Sequence, residues 1–270
     1  SNTIATREVC MTEDREALSV DYDAWHAHRL SEEGDSSLEV ANFACWHQMV
    51  IPRLGRLEGV RVAEIGCGRG NFALYLARQG ADVTAMDFSA AAIEIARERS
   101  TREQVPVNWL VGDAAAIPLP TAEFDLVISC ECMEHVPQYR QMMAELARIC
   151  RPGGRLLLTT PSNLNAQLLA WFDAWLRRKP YNSGSGVQPH ENLFFTWTIQ
   201  SLLRRNGWRC VFRDARIFRW LLLPRVNPHW LHTEQISSPV LKTLARPFGL
   251  HQLYEAVRDL GACPTEFVKE

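Results

Sequence analysis

The sequence predicts a doubly wound α/β fold on a mostly parallel seven-stranded sheet, and three observations carry that prediction. Short apolar runs alternate with amphipathic stretches from about residue 58 onward, the first run ends in a glycine-rich turn, and acidic residues stand directly after the next runs. Strands joined by helical crossovers lie parallel with helices on both faces, and such sheets bind ligands at the carboxyl ends of their strands.

Before the alternation begins, Leu38, Phe43, Trp46, Met49 and Val50 recur at helical spacing and no proline intervenes until Pro52, so residues 1–57 read as a helical N-terminal cover. Val60–Ile65 is then a strand, Asn71–Gln79 a helix, Asp82–Met86 a strand and Ala90–Arg99 a helix. Val107–Val111, Phe124–Ser129 and Arg155–Thr160 continue the sheet, with a helix over Tyr139–Cys150 before the last of them. Beyond Pro161 the composition shifts, and six of the nine tryptophans fall there, which marks an inserted lobe. A helical insertion over Asn163–Arg178 carries the stripe Leu168, Leu169, Phe172, Trp175 and Leu176, and Asn182-Ser183-Gly184-Ser185-Gly186 leads on to a helix at Thr198–Arg205. Trp208–Arg213 and Ile217–Leu222 are expected to close the sheet. The domain plan is a cover at 1–57, a ligand-binding domain at 58–224 with its insertion and lid at 163–197, and a partly helical C-terminal extension at 225–270.

Composition limits the function. A chain of 270 residues, 47% of them apolar, buries one large core with room for a small lobe. Lys and Arg number 29 against 31 Asp and Glu, so no net field draws the chain to nucleic acid or to an anionic membrane, and the expected partner is a small molecule. The eight cysteines are scattered without a CxxC pair, as in a reducing compartment. Ser1-Asn2-Thr3-Ile4 shows no basic-then-apolar leader, and no run approaches the ~20 apolar residues of a transmembrane helix. The expectation is a cytoplasmic protein, with no oligomeric state read from the sequence.

The chemistry starts at Glu64-Ile65-Gly66-Cys67-Gly68-Arg69-Gly70-Asn71, where glycines let the backbone turn sharply and approach a ligand closely. The dinucleotide fingerprint requires glycine where Asn71 stands, which disfavours a nicotinamide oxidoreductase. Glu64 places a carboxylate beside the turn, repelling a pyrophosphate and favouring a cationic ligand. Met86-Asp87-Phe88-Ser89, Gly112-Asp113-Ala114, Cys130-Glu131-Cys132-Met133-Glu134-His135 and Arg151-Pro152-Gly153-Gly154 follow the later elements in order. Asp87 and Asp113 are also good helix N-caps, the plainer reading of each.

Taken together over roughly residues 60–160, these segments resemble the class I, Rossmann-like S-adenosylmethionine-dependent methyltransferases, with the pattern of the ubiquinone-pathway O-methyltransferases in particular. The resemblance implies that Glu64, Gly66, Cys67, Gly68, Gly70 and Asn71 hold the methionine portion of the cofactor. It further implies that Asp87, beside Phe88, takes the ribose hydroxyls and that Asp113, beside Ala114, takes the adenine amino group, with Cys130 lining the same site. Methyl transfer from a sulfonium needs positioning more than acid or base, although a hydroxyl acceptor must lose a proton.

Glu131, Glu134 and His135 are the candidate catalytic residues. On a helical turn Glu131 and His135 would share a face with Glu134 beside them. With His190 they could also hold a divalent metal, as in the small-RNA 3′-end 2′-O-methyltransferases. The same Glu-His pair occurs in metal-free methyltransferases, and the metal-free pocket is the preferred reading. The stripe at 168–176 packs as core or covers an apolar or aromatic acceptor, while Tyr22, Trp25, His26 and His28 pack or reach over the cofactor. The expected function is methyl transfer to the hydroxyl of a small molecule. Its alternatives are a non-catalytic cofactor-binding sensor or interaction module, and an RNA 2′-O-methyltransferase, the latter disfavoured by the charge balance.

Overall fold

The computed structural model describes residues 18–24, 43–162, 192–216 and 237–261. Seven strands form one sheet: β1 (Arg61–Ile65), β2 (Asp82–Asp87), β3 (Asn108–Val111), β4 (Phe124–Cys130), β5 (Cys150–Pro161), β6 (Trp208–Arg216) and β7 (His251–Arg258). Their spatial order is β3-β2-β1-β4-β5-β7-β6. β1 to β5 pair in parallel, and β7 is antiparallel to both β5 and β6. The central strands Arg61–Ile65 and Phe124–Cys130 are buried almost throughout because helices cover both of their faces.

Helices α1 (residues 18–24), α2 (Cys45–Val50), α3 (Asn71–Arg78), α4 (Ala90–Glu103), α5 (Tyr139–Ile149), α6 (Thr196–Arg205) and α7 (Pro239–Ala245) surround the sheet. On one face α5 and α6 bury Met142, Leu146, Ile199 and Leu203 with Trp208 and Tyr254. On the other, α2, α3 and α4 bury Met49, Val50, Phe72, Leu74 and Ile93. Two cores back to back are what a doubly wound sheet requires. Among the described residues no helix is long and apolar enough to cross a membrane.

The elements expected between Val60 and Arg213 that fall on described residues are present with small shifts, the largest being β5, which begins at Cys150 rather than Arg155. The closing pair differs. Ile217–Leu222 lies outside the described residues, and the strand that lies between β5 and β6 is His251–Arg258, from the stretch expected to be an extension beyond residue 224. This strand is nearly all buried yet contains Gln252, Glu255 and Arg258, which break any apolar run. Glu255 is matched by Arg53 and by Arg155 Nη1 at 3.2 Å, and Arg258 Nη1 donates to the Cys150 carbonyl at 2.8 Å. The insertion at 163–178 and the Asn182–Gly186 linker lie outside the described residues, as do Trp25, His26 and His28.

Candidate active site

β1 ends at Ile65 and the chain turns through Gly66, Gly68 and Gly70, all in the left-handed region (φ 80°, 52° and 75°). The Gly66 and Cys67 amides both donate to the Met86 carbonyl, at 2.8 and 3.1 Å, tying the turn to the end of β2. A Cβ on Gly66 would overlap the Cys132 side chain, so the turn after β1 and the turn after β4 are in contact. Asp87 closes the third side: its carboxylate accepts the Gly68 amide at 2.7 Å and the Ser89 amide at 3.0 Å.

Glu64 lies beneath this turn, 2% exposed, and its Oε2 has no hydrogen-bond partner among the described residues. Burial, reinforced by the Asp87 charge, pushes its carboxyl well above the ordinary carboxylate range. An unmatched buried carboxyl oxygen is costly unless a ligand supplies the donor. Burial first, then neighbouring carboxylates, also raises the thiols of Cys67 and Cys130. Asn71 begins α3 but turns its side-chain oxygen to the Arg99 guanidinium. Asp113 is 9% exposed and accepts the Ala115 amide at 2.7 Å, so it acts as a local cap while standing at the end of β3.

α1 lies over this edge. Its Asp23 accepts the Ser89 hydroxyl and the Ala91 amide, completing the cap of α4, and Ser19 Oγ donates to the Phe88 carbonyl at 3.4 Å. The Tyr22 ring stands 6.4 Å from the His135 ring, so the N-terminal helix reaches from the β2 end to the β4 end.

After β4 the expected helical face is not formed. Only Met133–His135 is helical, as one 3-10 turn, and Glu131 precedes it with φ 47°. Left-handed backbone in a non-glycine residue costs about 1–2 kcal/mol, so the surrounding contacts hold Glu131 there. Its amide donates to the Thr159 carbonyl at 3.0 Å. Glu131 and His135 are therefore separated. Glu134, 1% exposed, accepts the Thr160 hydroxyl at 3.1 Å and lies 3.8 Å from His135 Nε2, and burial with the Glu131 charge raises its carboxyl strongly. Glu131 Oε2 instead meets His251 Nδ1 at 2.9 Å.

His251 is the site residue that sequence reasoning missed, because the strand that carries it was not legible. Burial is the largest single influence and opposes its charge, but Glu131 and Cys45 together outweigh it and lift the imidazole to about 10, which favours the cation at neutral pH. His190 lies outside the described residues, and among the described residues no group of three or more His, Cys, Asp or Glu is arranged to hold a metal. An open groove of about 600 Å³ beside Asp82, Arg97 and Asn108 lies at the amino ends of β2 and β3, the opposite edge of the sheet from these groups.

Comparison with known proteins places this geometry in a family context. Residues 63–158 match the methyltransferase domain family. A ubiquinone biosynthesis O-methyltransferase of Sinorhizobium medicae (strain WSM419) is 36% identical over 141 residues, which cover 50% of this chain and 57% of the relative. The Cronobacter sakazakii protein of the same name is 28% identical over 203 residues, 71% of this chain and 81% of the relative. For the Coxiella burnetii (strain Dugway 5J108-111) protein of that name the match is 33% identical and spans 44% of its length. Among solved structures, magnesium protoporphyrin IX methyltransferase from Synechocystis PCC 6803 with bound SAM superposes with a TM-score of 0.59 at 17% identity, covering 93% of this chain and 100% of that one. The [4+2]-cyclase SpnF does so with a TM-score of 0.61 at 16% identity, over 92% and 96%. The fold is shared by proteins of different chemistry, so the reaction must be argued from the residues at the strand ends.

Proposed function

We propose that this chain, whose residues 63–158 match the methyltransferase domain family, is a class I S-adenosylmethionine-dependent methyltransferase that transfers the methyl group to the hydroxyl of a small molecule. The observation that carries the reading is the set of groups at the carboxyl ends of β1, β2 and β4. A glycine turn in left-handed conformation, the unpartnered Glu64 oxygen and the Asp87 carboxylate stand together at the ends of β1 and β2, and Glu131, Glu134 and His135 follow the end of β4, whose Cys132 would meet a Cβ on Gly66.

These residues fit the cofactor. Glu64 offers a buried acceptor to the cationic amino group of the methionine portion, and Gly66, Cys67, Gly68, Gly70 and Asn71 form the turn beside it. Asp87 retains lone pairs for the ribose hydroxyls beyond its two backbone bonds, next to Phe88. Asp113, with Ala114, is the group we assign to the adenine amino group, and Cys130 is assigned to the same site; all three are buried at the ends of their strands. S-adenosylmethionine supplies the activated methyl as a sulfonium. The chain's part is to exclude water and to align the acceptor hydroxyl with that methyl. Glu131 and His135 are the groups offered for the proton the hydroxyl loses. No metal is assigned to this role.

The test is direct. Purified protein is incubated with S-adenosylmethionine and 3,4-dihydroxybenzoate, alongside other catechol and phenol probes, and each mixture is read by mass spectrometry for the gain of one methyl. Methylated probe with stoichiometric S-adenosylhomocysteine is expected. Tight cofactor binding without turnover of any hydroxyl probe overturns the reading in favour of a binding module.

A further inference from the structure

Glu131 has three features that its place after β4 does not by itself explain. Its backbone is held left-handed at φ 47°, its Oε2 is bonded to His251 Nδ1 at 2.9 Å, and its Oε1 is buried with no partner among the described residues. Both side chains of the pair are 13% exposed. The Glu131 amide is fixed as well, by the Thr159 carbonyl at 3.0 Å and the Thr159 hydroxyl at 3.2 Å. One carboxylate oxygen is thus immobilised and the other is left as a buried acceptor. Strained backbone retained at such a place is a recurrent mark of a working residue.

The partner is placed by topology. His251 is the first residue of the antiparallel strand β7, opposite Pro161 of β5 and Arg216 of β6, so it stands at the same sheet edge as the ends of β4 and β5. Trp46 packs against its ring at 5.3 Å between centroids, and the Cys45 thiol bonds to it from α2. His251 is therefore held by the ladder on both sides and by the N-terminal cover above.

Resting on the reading of hydroxyl methylation, we propose that His251 is a positioning residue of the acceptor site: it fixes Glu131 through Oε2 so that Oε1 receives the proton of the acceptor hydroxyl. In the step, the acceptor oxygen forms a bond to the methyl carbon and the sulfur–methyl bond breaks, its electron pair returning to sulfur as a thioether. The O–H proton passes to Glu131 Oε1 and later to water. Nothing is oxidised or reduced, and the charge lost by the sulfonium is balanced by neutralisation of the carboxylate. His251 touches neither donor nor acceptor. It acts through Glu131.

The test uses the full chain with 3,4-dihydroxybenzoate as the probe, comparing wild type, His251→Ala and His251→Gln. Because a positioned proton acceptor contributes about 10²–10⁴-fold, His251→Ala should lower kcat by at least about thirtyfold. KM and the calorimetric Kd for S-adenosylmethionine should stay within about threefold. His251→Gln, whose amide can still donate to Glu131 Oε2, should recover a substantial part of the rate. Unchanged kcat in a folded His251→Ala protein overturns the proposal, and so does a loss carried by KM or by cofactor Kd, or a Gln variant no better than Ala at equal melting temperature. Wild type that binds cofactor but methylates no hydroxyl probe overturns the parent reading, and this one with it.

Discussion

Replacing Glu64 by Gln tests the cofactor site where its electrostatics are most unusual. The side chain is 2% exposed and Oε2 has no partner among the described residues, while burial, then the Asp87 charge, holds the carboxyl well above its ordinary 4.5. The ligand-free native protein therefore keeps a proton on Glu64 at pH values where the unfolded chain has lost it. With more protons on the native state, the contribution of this group to stability falls as pH rises from 4.5 toward the raised value. A cationic amino group reverses the balance: unit charges about 4 Å apart attract by about 4 kcal/mol at an effective dielectric of 20, which favours the carboxylate. Binding of S-adenosylmethionine at a pH between 4.5 and the raised value should then expel protons from Glu64. Gln keeps the shape but cannot ionise, and losing a charge-assisted bond of about 1.5–3 kcal/mol weakens affinity roughly ten- to hundredfold. The assay is titration calorimetry at one pH in two buffers of unlike ionisation enthalpy, since the difference in apparent heat counts protons released. Wild type should release more protons than Glu64→Gln and bind more tightly. Equal proton counts with equal affinity would refute the placement of the amino group at Glu64.

Asp87→Ala should cost both stability and affinity, because the carboxylate carries the Gly68 and Ser89 amides as well as its proposed ribose contacts. At about 1.5–3 kcal/mol for each charged bond before non-additivity, urea unfolding should shift clearly and cofactor Kd should rise at least about tenfold. A folded mutant with native affinity removes Asp87 from the site. Gly66→Ala places a Cβ against Cys132 at a left-handed position, so cofactor binding should be lost while far-ultraviolet circular dichroism is retained; normal binding would mean the turn is not the cofactor loop. The His251–Glu131 pair stabilises the protein fully below about 6.5, and that gain is lost as pH rises through about 10. Melting temperatures should therefore fall more steeply over this window in wild type than in His251→Gln, with Glu134 and Cys45 the other titratable groups facing the ring. Methyl transfer should survive EDTA; loss of activity that Mg²⁺ restores would instead call for a metal at Glu131, Glu134 and His135.

The central strands β1 and β4 were legible because they are buried on both faces and so are rich in apolar residues, and the motif residues stand where those strands end. β7 was not legible because its buried polar residues are satisfied by partners remote in sequence. Glu255 depends on Arg53 and Arg155, the nearer of them 100 residues away, and no local pattern announces that pairing. The reading of Glu131 and His135 as one face assumed a helix that a left-handed φ at Glu131 prevents. Asn71 was placed by spacing at the head of α3, correctly, but its side chain is spent on Arg99. For Asn71 the backbone position was visible in the sequence and the side-chain partner was not; for β7 and Glu131 neither was.

The reversal of one strand explains how a sheet of common design acquires this site. In a purely parallel sheet the ligand edge receives only residues that follow strands, and these sit on turns whose geometry is set locally. Threading β7 antiparallel between β5 and β6 brings the start of a strand to that edge, so His251 is fixed by hydrogen-bonded neighbours on both sides. It meets Glu131 across 120 residues of chain, at a point where the sheet rather than a loop sets the distance. A carboxylate that must take a proton from a correctly aimed hydroxyl gains from such rigidity, since misplacement by about 1 Å is enough to cost about 10²-fold in rate. The fold provides the glycine turn proposed for the cofactor by its parallel strands, and by its single reversed strand it supplies the support for Glu131, the residue proposed to face the acceptor.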